Sequence, residues 1–197
     1  MRYHSHFTLQ RNRMLMAAKS TIFKATLQIS DMDRHYYQAH NLTIARHPSE
    51  TDERMMVRLL AFALNAHERL EFGRGLSTED EADLCQKDLT GAIEHWIDVG
   101  LPDERLVRKA CGRSQQVTVY SYGGRIAEMW VEQNRALFAR QNNLRIINLS
   151  PDHSLALAAL AQRNMTLNCL VQDGLVSFSD DSQAAELEPV QLYPAPD

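Results

Sequence analysis

The chain has 197 residues, 44% of them hydrophobic and 23% charged, with a formal charge of −4. That length buries a sizeable core in one domain, and the composition is that of a globular protein. No apolar run of about 18 residues occurs, which excludes a helix across a membrane. The negative balance excludes coating of nucleic acid by bulk charge, though a local basic groove stays open. Cys85, Cys111 and Cys169 are odd in number and far apart, with no CxxC or Cys/His cluster. They read as small buried thiols in a reducing, cytoplasmic setting.

Positions 1–18 are polar, carry arginines and hold no apolar core of signal-peptide length. They read as a disordered extension ahead of one domain over 19–182, with 183–197 an irregular tail marked by Pro189, Pro194 and Pro196. From Thr21, Phe23, Ala25, Leu27 and Ile29 alternate with Lys24, Thr26 and Gln28, which predicts a half-buried strand. Asp31–Asp33 turns the chain and a second strand returns to Ala45.

A helix follows. Ser49 serves as its cap with Asp52 three residues on, and Met56, Leu59, Leu60, Ala63 and Leu64 form a buried stripe. Extended one turn back, that stripe reaches Glu53. A carboxylate there either favours the helix N-terminus electrostatically or faces a site. Short strands are expected at Leu70–Phe72 and near Leu84–Cys85, separated by the charged stretch Ser77–Glu81.

Ala92 to Val99 reads as a strand with Ile93, His95, Ile97 and Val99 on one side and Glu94, Trp96 and Asp98 on the other. Trp96 is either a core ring or an exposed wall that stacks on a base. His95 reads as a hydrogen-bonded core histidine. Asp98 either ends its strand before Pro102 or is a second inward acid. Two such acids on different elements suit a divalent cation, because hard cations take oxygen ligands.

Pro102 and Gly112 bracket a second helix, whose Arg105, Arg108 and Lys109, followed by Arg113, make the most basic stretch of the chain. It is either a solvated face or a phosphate contact. A strand over Gln116–Tyr122 and a helix over Arg125–Gln141 follow, the helix burying Ile126, Met129, Trp130 and Leu137. A strand over Leu144–Leu149, a helix capped by Ser150 and a hairpin about Asp173-Gly174 complete the reading.

Three stretches, ARHPSETDERMM, WIDVGLPDERLVRKAC and MTLNCLVQDGLVSFSD, resemble the YaeQ family, whose fold is similar to the PD-(D/E)XK nuclease superfamily. The resemblance implies an α/β (mixed α+β) fold: a restriction-endonuclease-like mixed sheet flanked by helices, with the N- and C-terminal hairpins joined in a second small sheet. It implies a helix-borne acid, matched by Glu53, and an acid opening one strand, matched by Asp83, with Asp88 or Glu94 as alternatives. An acid-x-Lys on the next strand is matched by Asp98 alone, since Gly100 stands at the lysine position. Lys109, with Arg108 as competitor, is the expected substitute. The implied activity is a Mg²⁺- or Mn²⁺-dependent phosphodiesterase acting on nucleic acid, with Glu53, Asp83 and Asp98 as ligands. The alternative is a catalytically inactive module that binds nucleic acid or a protein partner.

Overall fold

The computed structural model describes residues 20–73 and 81–195. The expectations for positions 1–18 and for most of the charged stretch after Ser77 lie outside them. Two mixed sheets sandwich a helix. The first sheet runs β10-β9-β8-β1-β2, built from β1 (Thr21–Asp31), β2 (Tyr36–Arg46), β8 (Asn164–Gln172), β9 (Leu175–Ser179) and β10 (Ala184–Leu187). The second runs β11-β7-β6-β5-β4-β3, built from β3 (Leu70–Phe72), β4 (Leu84–Lys87), β5 (Ile93–Val99), β6 (Ser114–Ser121), β7 (Leu144–Asn148) and β11 (Val190–Tyr193). The expected joining of the two terminal hairpins occurs through parallel pairing of β1 with β8.

The alternation in β1 turns Phe23, Ala25, Leu27 and Ile29 inward, where Met165, Leu167, Cys169 and Val171 of β8 join them. Against this face lies α1 (Asp52–Leu64), buried from Met55 through Ala63 without a break. The sequence stripe covers only part of that. A helix with a sheet on each side and α4 (Pro151–Ala158) along its flank has almost no solvent face left. Its cap is Thr51, whose side chain accepts from the Arg54 N–H; Ser49 instead pairs with His47.

The second sheet gives one face to this same core through Leu84, Ile97, Val99 and Tyr120. Its other face, with Trp96, Val117, Val119 and Ile146, packs under α2 (Glu104–Arg113) and α3 (Arg125–Phe138). Parallel β5, β6 and β7 are joined by these two helices, as parallel strands require.

The sequence reading differs from the structure at three points. Ile126 and Met129 of α3 are exposed, whereas Leu137 is buried and Trp130 half-buried as expected, with Ala127 and Phe138 completing the buried side. Ile93 joins the outer core with Trp96, because a register shift between Gln86 and Lys87 lets the strand face change. The stretch 183–197 is not an irregular tail. Ala185 and Leu187 point inward from β10, and β11 extends the second sheet beside β7. Pro189 lies between the two strands and Pro194 after the second, where no ladder hydrogen bond is lost.

The start of β4 is held by a close backbone approach at Gly73. Its N–H donates to Asp83 O at 2.8 Å, and a Cβ on Gly73 would stand 2.2 Å from Ala82 O. Gly73→Ala is expected to lower stability by roughly 1–3 kcal/mol, the cost of overpacking. Denaturant unfolding measures it; an unchanged midpoint would show that the backbone yields freely there.

Candidate functional site

The site forms where the first turn of α1 meets the ends of β4 and β5. Four side chains reach it from Glu50, Arg54, Asp83 and Asp98. The Arg54 Nη1 donates to Glu50 Oε1 at 2.9 Å, and its Nη2 reaches both oxygens of Asp83, at 2.9 and 2.7 Å, and Val99 O at 3.2 Å. Burial opposes the charge of Arg54, but Asp83 and Glu50 outweigh it, and its pKa rises. Asp83 also accepts from the Val99 N–H at 2.8 Å. The Asp83 N–H points to Asp98 Oδ1 at 3.4 Å, while the Trp96 indole N–H donates to Asp98 Oδ2 at 2.9 Å.

Behind this row stands Arg58, buried with Glu50: their side chains are 1% and 4% exposed. Its Nε and Nη2 grip the two Glu50 oxygens, both at 2.8 Å, and Nη2 reaches Ala45 O at 2.9 Å. Such a bidentate pair fixes direction as well as charge. Arg58, Glu50, Arg54 and Asp83 thus form one alternating chain that ends on Asp98. The spacing of Glu50, Arg54 and Arg58, four residues apart each time, was the available signal for it, overlooked in favour of the apolar stripe.

The sequence-predicted residues divide as follows. Asp83 and Asp98 come together. Asp88 does not: it lies in the β4–β5 turn, accepting from Thr90 and Ala92, about 17 Å of strand from Asp98 at ~3.4 Å per residue. Glu94 pairs with Arg69 and Gln86. Glu53 is half-buried and accepts from the Ser154 hydroxyl at 2.6 Å, which ties α1 to α4. It still acts on the half-buried Tyr122 phenol, as do Arg54, Glu50 and Asp83. Burial first, and these acids after it, push that phenol up, with Arg54 opposing them. Lys109 is half-buried on α2, the helix that covers the Trp96 face of the sheet. Arg108 is exposed and pairs with Glu104.

Trp96 is 5% exposed within the outer core. Its role here is to hold Asp98, and the stacking wall is not present. Gly100, at φ +105° with open space where a Cβ would stand, leaves the strand without a cation. The cation that the structure brings to the acids is Arg54, from the preceding helix. Among the described residues no group of three or more His, Cys, Asp or Glu side chains is arranged to hold a metal ion.

Two mixed sheets around a buried helix, with paired acids at the strand ends and an arginine between them, define the class of protein. A model of the YaeQ protein family matches residues 16–189, and the chain belongs to that family. It is 42% identical over 172 residues to YaeQ of Escherichia coli K12, covering 87% of this chain and 95% of that one. The Salmonella typhi YaeQ is also 42% identical, over 173 residues, with 88% and 96% covered. The crystal structure of YaeQ from Xanthomonas axonopodis pv. citri superposes with a TM-score of 0.85 at 52% identity, covering 88% of this chain and 98% of that one. The Pseudomonas syringae YaeQ crystal structure gives 0.83 at 36% identity, with 88% and 96% covered.

Two buried groups make stability depend on pH in opposite senses. Burial, then the neighbouring Asp83, raises Asp98 to about 6. The folded state therefore holds a proton that the unfolded chain gives up, and stability falls as pH rises from about 4 to 6. Burial, then Arg145, lowers His95 to about 4, its Nε2 lying 2.8 Å from Thr118 Oγ1. Its contribution is complete above about pH 6.5 and is lost as pH falls toward 4. Asp98→Asn removes only the first effect. The difference in unfolding free energy between variant and wild type is expected to grow in favour of the variant by up to about 3 kcal/mol between pH 4 and 7. Urea titrations across that range measure it, and a pH-independent difference would contradict the raised pKa.

Proposed function

We propose that this chain is a phosphodiesterase of nuclease-like architecture that acts on nucleic acid with Mg²⁺ or Mn²⁺ at Glu53, Asp83 and Asp98. The observation carrying this reading is the meeting of Asp83 and Asp98 at the ends of neighbouring strands, with a guanidinium beside them. The donors fit a hard cation in kind, being all oxygen. They accept one only after Arg54 leaves Asp83 and Glu53 leaves the Ser154 hydroxyl; Arg54 is 34% exposed, so its head group has a path outward.

Glu53, Asp83 and Asp98 would hold the cation, which would supply polarisation of a phosphoryl oxygen and an activated water near neutral pH. Arg54, released from Asp83, turns to the phosphate and steadies its charge. It stays protonated and so cannot take a proton from water. Tyr122 adds a hydrogen-bond donor beside these groups. Lys109 is the second cation, steadying the developing phosphate charge from α2.

The occupation of Asp83 by Arg54 favours a second reading, a module that binds without cleaving. Calorimetry with Mn²⁺ and a cleavage assay on short oligonucleotides separate the two. The phosphodiesterase is expected to bind Mn²⁺ and cleave, with Asp98→Asn and Lys109→Ala each lowering the rate by roughly 10²-fold. Salt-sensitive oligonucleotide binding without Mn²⁺ uptake or cleavage identifies the binding module. Absence of metal uptake, cleavage and oligonucleotide binding rules out both.

A further inference from the structure

The edges of the two sheets are not alike. Natural edges are kept short, bulged, charged or flanked by proline, because unpaired backbone groups recruit another strand. Among the described residues three of the four edges follow this rule. β3 has three residues, β10 has four including Glu186, and β11 has four with a register shift and prolines on both sides. β2 does not. It is an eleven-residue edge in unbroken register with β1, without bulge or proline, and uncharged until Arg46 at its last position.

We infer that β2 pairs antiparallel with β2 of a second copy of this chain, joining two five-stranded sheets into one of ten strands. Such a two-fold contact is self-complementary by necessity, and the side chains meet that demand. The register that uses all eleven residues centres on Asn41. It sets Tyr37 of the second copy opposite Ala45, whose neighbour on β1 is Ile22. Tyr37 and Ile22 are 57% and 45% exposed; across the small Ala45 each covers the other, twice per dimer.

Charge agrees with this orientation. The hairpin end of the sheet carries Asp31, Asp33 and Asp173 against Arg34, three acids to one base. The opposite end carries Lys24, Arg46, Arg58 and Arg163 against Glu50, Asp52, Asp180 and Asp181, four bases to four acids. Antiparallel pairing sets the acidic end of one copy beside the balanced end of the other and keeps the two acidic ends apart.

Sedimentation velocity of the full chain across the micromolar range tests the contact. Wild type is expected to dimerise. Asn41→Lys sets two like charges on the two-fold axis, at an exposed position where the monomer tolerates it, and is expected to weaken dimerisation by at least about tenfold. Gln28→Lys, on the same sheet face but one strand inward, is expected to leave it within about twofold. Backbone amides of β2 are expected to exchange more slowly with deuterium as concentration rises. A chain that stays monomeric throughout, or a dimer indifferent to Asn41→Lys, overturns the proposal.

Discussion

A buried carboxylate gripped by two arginines holds the working end of this molecule together. Glu50 is almost without solvent, and an isolated charge in that position costs several kcal/mol. Arg58 offsets that cost with two parallel hydrogen bonds, and Arg54 adds a third from one turn earlier. Removing either partner from such a group typically costs about 3–5 kcal/mol, because the remaining charge stays buried. Arg58 also lies 5.9 Å from the centre of the Phe72 ring, a further small attraction. The first turn of α1 is thereby fixed in rotation, and with it the direction in which Arg54 leaves the helix.

The far end of the same helix is fixed by a different device. No basic residue stands in its last turn, so the carbonyl end of the helix dipole lacks a cation of its own. Arg34 from the β1–β2 turn supplies it, with Nη2 donating to Ala63 O at 3.0 Å while the buried Asp31 holds its Nε at 2.6 Å. Asn65 then donates to the buried Tyr120 hydroxyl of β6 at 2.7 Å. One end of α1 is tied to the first sheet and the other sheet through polar contacts, the middle through apolar ones. The acids on β4 and β5 therefore meet Arg54 at a defined distance.

The strands and helices were legible because their burial is one-sided, and a one-sided element prints its period on the sequence. β1 and β8 alternate cleanly for this reason. Where burial is two-sided the period disappears: α1 looked like a stripe and proved buried nearly all round. In α3 the stripe fails only in its first half, where Ile126 and Met129 are apolar yet exposed and small Ala127 makes the contact, while Trp130 and Leu137 pack as expected. The site was legible by halves. Asp98 was placed by strand alternation and Asp83 through the family resemblance. Arg54, Arg58 and Glu50 were missed because charged residues at helical spacing read as a solvated face. Only the second sheet, folded over from a distant part of the chain, makes that face an interior.

The central position of β1 sets an order of events at the ribosome. β1 is flanked by β2, whose nearest ladder pair, Asp31 with Tyr36, is five residues apart in the chain, and by β8, where Lys24 pairs with Asn164. At a synthesis rate of about 5–20 residues per second, the hairpin, complete at Arg46, waits roughly 6–24 s for β8 to begin at Asn164. Throughout that interval Phe23, Ala25, Leu27 and Ile29 face outward with nothing to cover them but α1. The first sheet is thus completed only after most of the second sheet has been made, since β3 to β7 all precede β8 in the chain.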